Sequence, residues 1–153
     1  VRPDHPRSNT RLVRERLLVE RAAAATLLPM YQPTDTPEEA VARVTEAIAP
    51  HLPISVLLLG MGDDGHVASL FPGTEGLADA LAEDAPPVMA LRPPEAEEPR
   101  LTLTRPVLDG ALSKHLAIVG ETKRAVLERA QRRSEDEAPV RAVLGGLTVH
   151  WAP

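Results

Sequence analysis

The sequence predicts an α/β fold: a mostly parallel β-sheet flanked by helices. Residues 54–59 (Ile54-Ser55-Val56-Leu57-Leu58-Leu59) form a nearly unbroken apolar run closed by Gly60, the pattern of a strand covered on both faces, as in parallel sheets. Three further apolar stretches of strand length follow at 88–91, 115–119 and 147–151. Helical stretches are interleaved with these runs, and that alternation is the mark of strand–helix–strand units.

The elements can be justified in order. Residues 1–9, with Pro3, Asp4, Pro6 and Asn9, read as loop. Ser8 or Asn9 suits the N-cap of a helix over 11–21, with Leu12, Leu17 and Leu18 tending to one side. A second helix is signalled more fully. Thr36 is its N-cap, Pro37 fits the first helical position, and Glu39 falls where a capping box needs a carboxylate. Val41, Val44 and Ile48 form its apolar stripe, which stops at Pro50. Later helical stretches are expected at 107–112 and 121–132. Residues 92–99, rich in proline and glutamate, read as a surface loop, and 134–138 as an acidic, solvated one. There is no internal repeat and no boundary dividing the chain, so residues 1–153 are expected to form one unit.

Composition removes several classes of function. The 153 residues contain no cysteine, which excludes disulfides and cysteine-ligated zinc within them. The net charge is −5, no Lys/Arg block occurs, and the aromatics are only Tyr31, Phe71 and Trp151. A nucleic-acid binder needs basic surface and rings on which bases stack, so none is expected. No apolar run approaches the ~20 residues of a membrane helix, and the start lacks a signal-peptide core. A soluble, cytoplasmic protein is the expectation. Only Lys114 and Lys123 are lysines among 17 basic residues; in so arginine-rich a chain each invites a search for a specific role.

The most informative segment is Leu59-Gly60-Met61-Gly62-Asp63-Asp64-Gly65-His66-Val67-Ala68-Ser69-Leu70-Phe71-Pro72-Gly73. Gly60, Gly62 and Gly65 have the GxGxxG spacing of a dinucleotide loop after a strand. Two features oppose that reading. Asp63 and Asp64 would put carboxylates against a pyrophosphate, and any helix that follows has at most about two turns before Pro72-Gly73. Ligands of α/β sheets sit at the carboxyl ends of strands, so His66 would stand at the rim of such a crevice, with Asp63 or Asp64 able to orient its ring. Histidine titrates near neutrality, and a neutral imidazole can take a proton from water. Taken alone, the segment reads equally well as a turn tied down by its aspartates, with His66 capping a short helix. A metal held by His66 and Asp63 is a weaker reading, because no second histidine stands at ligand spacing.

The same segment resembles the LGxGxDGHxASLFPG signature of the 6-phosphogluconolactonases, within the glucosamine-6-phosphate isomerase/6-phosphogluconolactonase superfamily. Asp4-His5-Pro6-Arg7-Ser8-Asn9 is similar to that family's DHPxSN segment. Pro99-Arg100-Leu101-Thr102-Leu103-Thr104 resembles PxRxTLT, and Gly120-Glu121-Thr122-Lys123 a Gly-x-x-Lys motif that opens a helix. The resemblance implies a Rossmann-like three-layer sandwich of the sugar-phosphate isomerase/lactonase type. It also implies hydrolysis of 6-phospho-glucono-1,5-lactone to 6-phosphogluconate in the oxidative pentose phosphate pathway. His66 would be the general base on water, with Asp64 orienting the imidazole or the loop. Asn9, Gly62, Asp63, Gly65, Arg100 and Lys123 would contact substrate, the last two through its phosphate. The implied partner is a small sugar-phosphate lactone; no cofactor, metal, nucleic acid or membrane is implied, and the complete form would be a monomer. The deaminases of glucosamine 6-phosphate share Asp-Gly-His but continue to Asn-Glu-Pro-Gly, so the Ser69-Leu70-Phe71-Pro72-Gly73 ending favours the lactonase. The alternatives are such a deaminase or a noncatalytic sugar-phosphate-binding remnant.

The chain departs from the family at its start. A Gly-Gly-Ser-Thr-type phosphate loop on a first strand and an Asp-Glu-Arg motif are expected upstream of Val1, and Arg2 stands where proline is usual. The resemblance thus covers the latter two-thirds of a family member. Without the first strand–helix–strand portion the sheet should show an apolar edge and face to solvent, and hydrolysis should run far below that of a full-length relative. His5, His51, His115 and His150 match no family role, and Trp151 is expected in the core or as a C-terminal anchor.

Overall fold

A computed structural model describes residues 1–94 and 96–153. Its helices are α1 (Asn9–Arg16), α2 (Pro37–Ile48), α3 (Leu77–Leu81), α4 (Arg105–Asp109) and α5 (Glu121–Ala130); its strands are β1 (Leu57–Leu59), β2 (Val88–Leu91), β3 (Arg100–Leu103), β4 (Lys114–Val119) and β5 (Leu147–Ala152). Strands β1, β4 and β5 form a parallel sheet in the order β1-β4-β5, while β2 and β3 pair antiparallel in a separate two-stranded sheet. The fold is α/β with a parallel sheet flanked by helices, as the apolar runs predict. β2 is an exception, because it leaves that sheet to pair with β3.

The capping logic of α2 holds. Thr36 takes an extended backbone and its hydroxyl accepts from the Glu39 N–H at 3.4 Å, with Pro37 in the first turn. Ala40 and Val44 are its buried face, packed toward β2 and β3. α1 departs from expectation. Ser8 is its N-cap, but the helix ends at Arg16, and a short 3-10 turn follows at Glu20–Ala24. None of its residues is buried and Leu12 and Leu17 are exposed, so the leucine stripe meets no partner that could extend the helix. The strand expected over 54–59 pairs as a strand only from Leu57, and the 107–112 helix is α4, closed at Gly110. The described residues of the 92–99 loop carry no helix, and the loop's Glu95 lies outside the described residues. No described helix is long and apolar enough to cross a membrane.

The two faces of the parallel sheet differ. Leu57, Leu59, Leu116 and Ile118 point into a core shared with Leu108 of α4, Val126, Leu127 and Ala130 of α5, and Val140 and Val143 of a 3-10 turn. On the alternate positions Val56 is 64% exposed, Leu58 68% and Val119 67%. β1 is therefore covered on one face, not on both as its apolar run suggests, because the described residues supply no second layer. An apolar face of the sheet is thus open to solvent among the described residues.

Two anchors steady the core's margin. Lys114, one of the two lysines, buries its ammonium against Asp109 at the end of α4. Trp151 is an anchor and not a core residue: its indole N–H donates to the Gly120 carbonyl at 3.1 Å, and the Arg124 guanidinium lies over its ring. Together with the Gly120 N–H to Ala152 carbonyl bond, this fixes the corner where β4 passes into α5.

Candidate active site

Parallel pairing brings the carboxyl ends of β1 and β4 to one edge of the sheet, with Leu59 opposite Leu116. The chain leaving β1 is the Gly60–Gly73 segment; the chain leaving β4 opens α5. The glycine-rich loop and the first turn of α5, with Lys123, thus share the end of the sheet where α/β proteins bind ligands.

Within the loop the imidazole of His66 is held from three sides. Asp64 Oδ1 accepts from the His66 backbone N–H at 3.1 Å and lies 2.7 Å from its ring Nδ1. With Asp64 ionised, Nδ1 carries the ring proton and Nε2 is left with a lone pair. Partial burial pushes the Asp64 carboxyl up, but the hydrogen bonds from His66 and the attraction of its ring outweigh it, and the group lies below the usual carboxylate range. The phenyl ring of Phe71 stacks on the imidazole at 3.9 Å between centroids and 26° between planes. The third side is Gly62. A Cβ there would collide with Nδ1 and Cε1 of His66 and sit 2.5 Å from Asp64 Oδ1, so only glycine leaves room for the pair.

The loop is braced from outside. Gly65 has φ +85° and its carbonyl accepts from Val140 N–H at 2.9 Å. No helix follows His66, contrary to the short helix considered from sequence. Val67 and Leu70 form a tight turn in which Ala68 has φ +51°, and the Ser69 N–H donates to Thr102 Oγ1 of β3 at 3.2 Å. A left-handed alanine costs about 1–3 kcal/mol and persists only where its surroundings hold it; the link to β3 does so here. With no helix N-terminus behind the glycines, the dinucleotide reading loses its phosphate-binding element.

The remaining sequence candidates fall in two groups. Asn9, exposed at the start of α1, lines a cleft of about 450 Å³ with Ala68, Ser69, Arg100 and Thr102. In that cleft Arg100 is half-buried, and its Nε is buried without a hydrogen-bond partner among the described residues. Asp63 and Asp64 instead line a smaller cleft with Arg129 of α5 and Arg133 just beyond its end. Neither cleft is lined by His66 or Lys123, although His66 sits beside the Ala68–Ser69 stretch. Lys123 lies three residues before Val126, one turn along the same helix face, and Val126 reaches to 3.9 Å from where a Gly65 Cβ would be. The arrangement can orient a neutral imidazole toward water, with cationic groups on two flanks. Phe71 is the residue that sequence reasoning missed. As the only phenylalanine, five places after His66 and outside the buried core cluster, it carried a weak signal.

The family of glucosamine-6-phosphate isomerases/6-phosphogluconolactonase matches residues 1–151 of the chain. The chain belongs to this family. Among its relatives, a 6-phosphogluconolactonase of Rhizobium meliloti (strain 1021) is 41% identical over all of this chain and 69% of its own length. One from Pseudomonas aeruginosa is 43% identical, with 66% of its length covered. The crystal structure of a 6-phosphogluconolactonase from Shewanella baltica OS155 superimposes with a TM-score of 0.93 at 34% identity, over 99% of this chain and 67% of that one. The chain thus spans about two-thirds of the length of the family members it matches.

Proposed function

We propose that the chain hydrolyses 6-phospho-glucono-1,5-lactone to 6-phosphogluconate, with His66 as general base. The observation that carries this reading is the Asp64–His66 pair, 2.7 Å apart at the mouth of a parallel sheet. The names of the relatives supply the substrate class. In the proposed cycle Nε2 takes a proton from water as the oxygen attacks C1 of the lactone. The tetrahedral adduct then collapses, the bond from C1 to the ring oxygen breaks, and the imidazolium returns its proton to that oxygen. The products are a carboxylic acid, which ionises in solvent, and the C5 hydroxyl. One well-placed base supplies about 10²–10⁴-fold, which suits an ester as reactive as a lactone.

The substrate's phosphate is a dianion approaching a chain of net charge −5, so its attraction must be local. Arg100 offers a planar fork whose Nε has no partner among the described residues, and Lys123 a point charge in the first turn of α5, where free backbone N–H groups favour anions. Asn9, beside Arg100 in the larger cleft, would bond sugar hydroxyls. Gly62 and Gly65 give the loop its shape, and Asp63 lies at its rim. The test is hydrolysis of freshly prepared lactone, followed by acid release with the spontaneous rate subtracted. The expected outcome is a rate above background that falls about 10²–10⁴-fold in His66→Ala while binding of 6-phosphogluconate survives. Ammonia release from glucosamine 6-phosphate, or turnover unchanged in His66→Ala, would overturn the reading.

A further inference from the structure

We propose that Phe71 is a positioning residue for the general base: its ring holds the His66 imidazole edge-on to Asp64 and favours the cation formed when the base takes its proton. The inference rests on the reading of His66 as that base. The sole phenylalanine of the chain is half-buried and lies outside the apolar core cluster; its ring is spent on the histidine.

The geometry leaves the imidazole little freedom. Asp64 holds the Nδ1 edge, Nδ1 and Cε1 fill the space that a Cβ at Gly62 would need, and the phenyl ring covers a face. A ring so placed presents Nε2 outward in one orientation, which removes rotational freedom before water is attacked. The stack also acts differently on the two protonation states. A neutral imidazole gains dispersion from the phenyl face, whereas an imidazolium is attracted in addition to the ring's negative quadrupole. Phe71 therefore stabilises the charged intermediate more than the resting base. The charged groups lining the clefts beside the loop are Asp63 and Asp64 on the loop itself, Arg129 of α5 and Arg133 just beyond its end on one side, and Arg7 and Arg100 on the side of Ala68 and Ser69; the substitutions at Phe71 leave all of them in the sequence.

The experiment compares Phe71→Leu, which keeps apolar bulk but loses the π face, with Phe71→Tyr, which keeps it. In the 153-residue chain, proton NMR of the His66 ring is expected to show resonances shifted upfield by the neighbouring phenyl ring. Its titration midpoint should fall by about half a unit in Phe71→Leu and return to the wild-type value in Phe71→Tyr. In lactone hydrolysis, kcat should drop about two- to fivefold in Phe71→Leu at unchanged KM and recover in Phe71→Tyr. A wild-type midpoint in Phe71→Leu, or unshifted His66 resonances in the unmutated chain, would overturn the proposal. The second measurement needs no variant to fold. Failure of the base assignment reads out separately, as turnover that survives His66→Ala while the ring shift and the titration change remain.

Discussion

The parallel sheet carries the same residue types on its two faces and gives them opposite fates. Leu57, Leu59 and Leu116 are buried under α4, α5 and the 3-10 turn, while Leu58 and Val119 on the same strands, and Val56 just before β1, stand about two-thirds exposed. Hydropathy therefore does not decide burial here; the supply of a covering layer does. The candidate site belongs to the covered side. The His66 loop hangs from the end of β1, is tied to β3 through Thr102, and rests on Val140 and α5. Among the described residues the bare side carries no such loop. Its polar feature is a chain from Ser113 Oγ to His115 to His150, with ring nitrogens 3.0 Å apart across β4 and β5.

The sharpest test of this asymmetry is a pair of equal truncations. Leu116→Ala, on the covered face, should cost about 2–5 kcal/mol through lost burial and the cavity left behind. Leu58→Ala, one strand away and on the bare face, should change stability by no more than about 0.5 kcal/mol and reduce binding of an apolar dye. Urea midpoints of the two variants measure the difference. Equal losses would break the comparison, because they would require that the outer face be covered in solution.

A smaller effect is expected inside the loop. Gly62→Ala places a methyl group on the His66–Asp64 pair, and overpacking of this kind costs about 1–3 kcal/mol where neighbours cannot move. The half-buried imidazole can swing outward, so stability should fall by less than in Leu116→Ala. Turnover, which depends on the ring's placement, should fall by about 100-fold. Activity close to wild type in Gly62→Ala would show that the tight seat of the ring is dispensable.

What the sequence revealed follows the range of the interactions. The caps of α2, the apolar runs of β1, β4 and β5, and the Asp64–His66 pair are set by residues within a few positions of one another, and all were legible. β3 was seen only as a motif, because four residues that open on Arg100 and carry Thr102 between two leucines are too short for a strand pattern until Val88–Leu91 pairs with them. The early end of α1 was illegible because its leucines are ordinary helix formers that find nothing to pack on. The turn at Ala68 depends on Thr102, over thirty residues away, and the Phe71 stack on how that turn closes. The glycine loop gave the chemistry of the site; tertiary contacts gave the orientation of its ring.

The smallest predicted effect concerns acid. The folded-state pKa of Asp64 lies below its ordinary value of 3.8, since hydrogen bonds and charge from His66 overcome the opposing effect of partial burial. A depressed carboxylate contributes stability that is fully present above its unfolded pKa and is lost as pH falls through the lower, folded one. The loop on the covered side should therefore loosen below about pH 4. The exposed carboxylates Glu38, held by a hydrogen bond from Arg92, and Glu137, held by Ser134, are shifted the same way and titrate in the same window. Urea midpoints followed from about pH 5 to about pH 2 should fall slightly less steeply in Asp64→Asn than in the unmutated chain, with Glu38 and Glu137 supplying the slope common to both. Identical slopes would mean that the Asp64–His66 bond, for all its shortness, does not couple protonation to folding; the pair would then serve only to choose which ring nitrogen faces water.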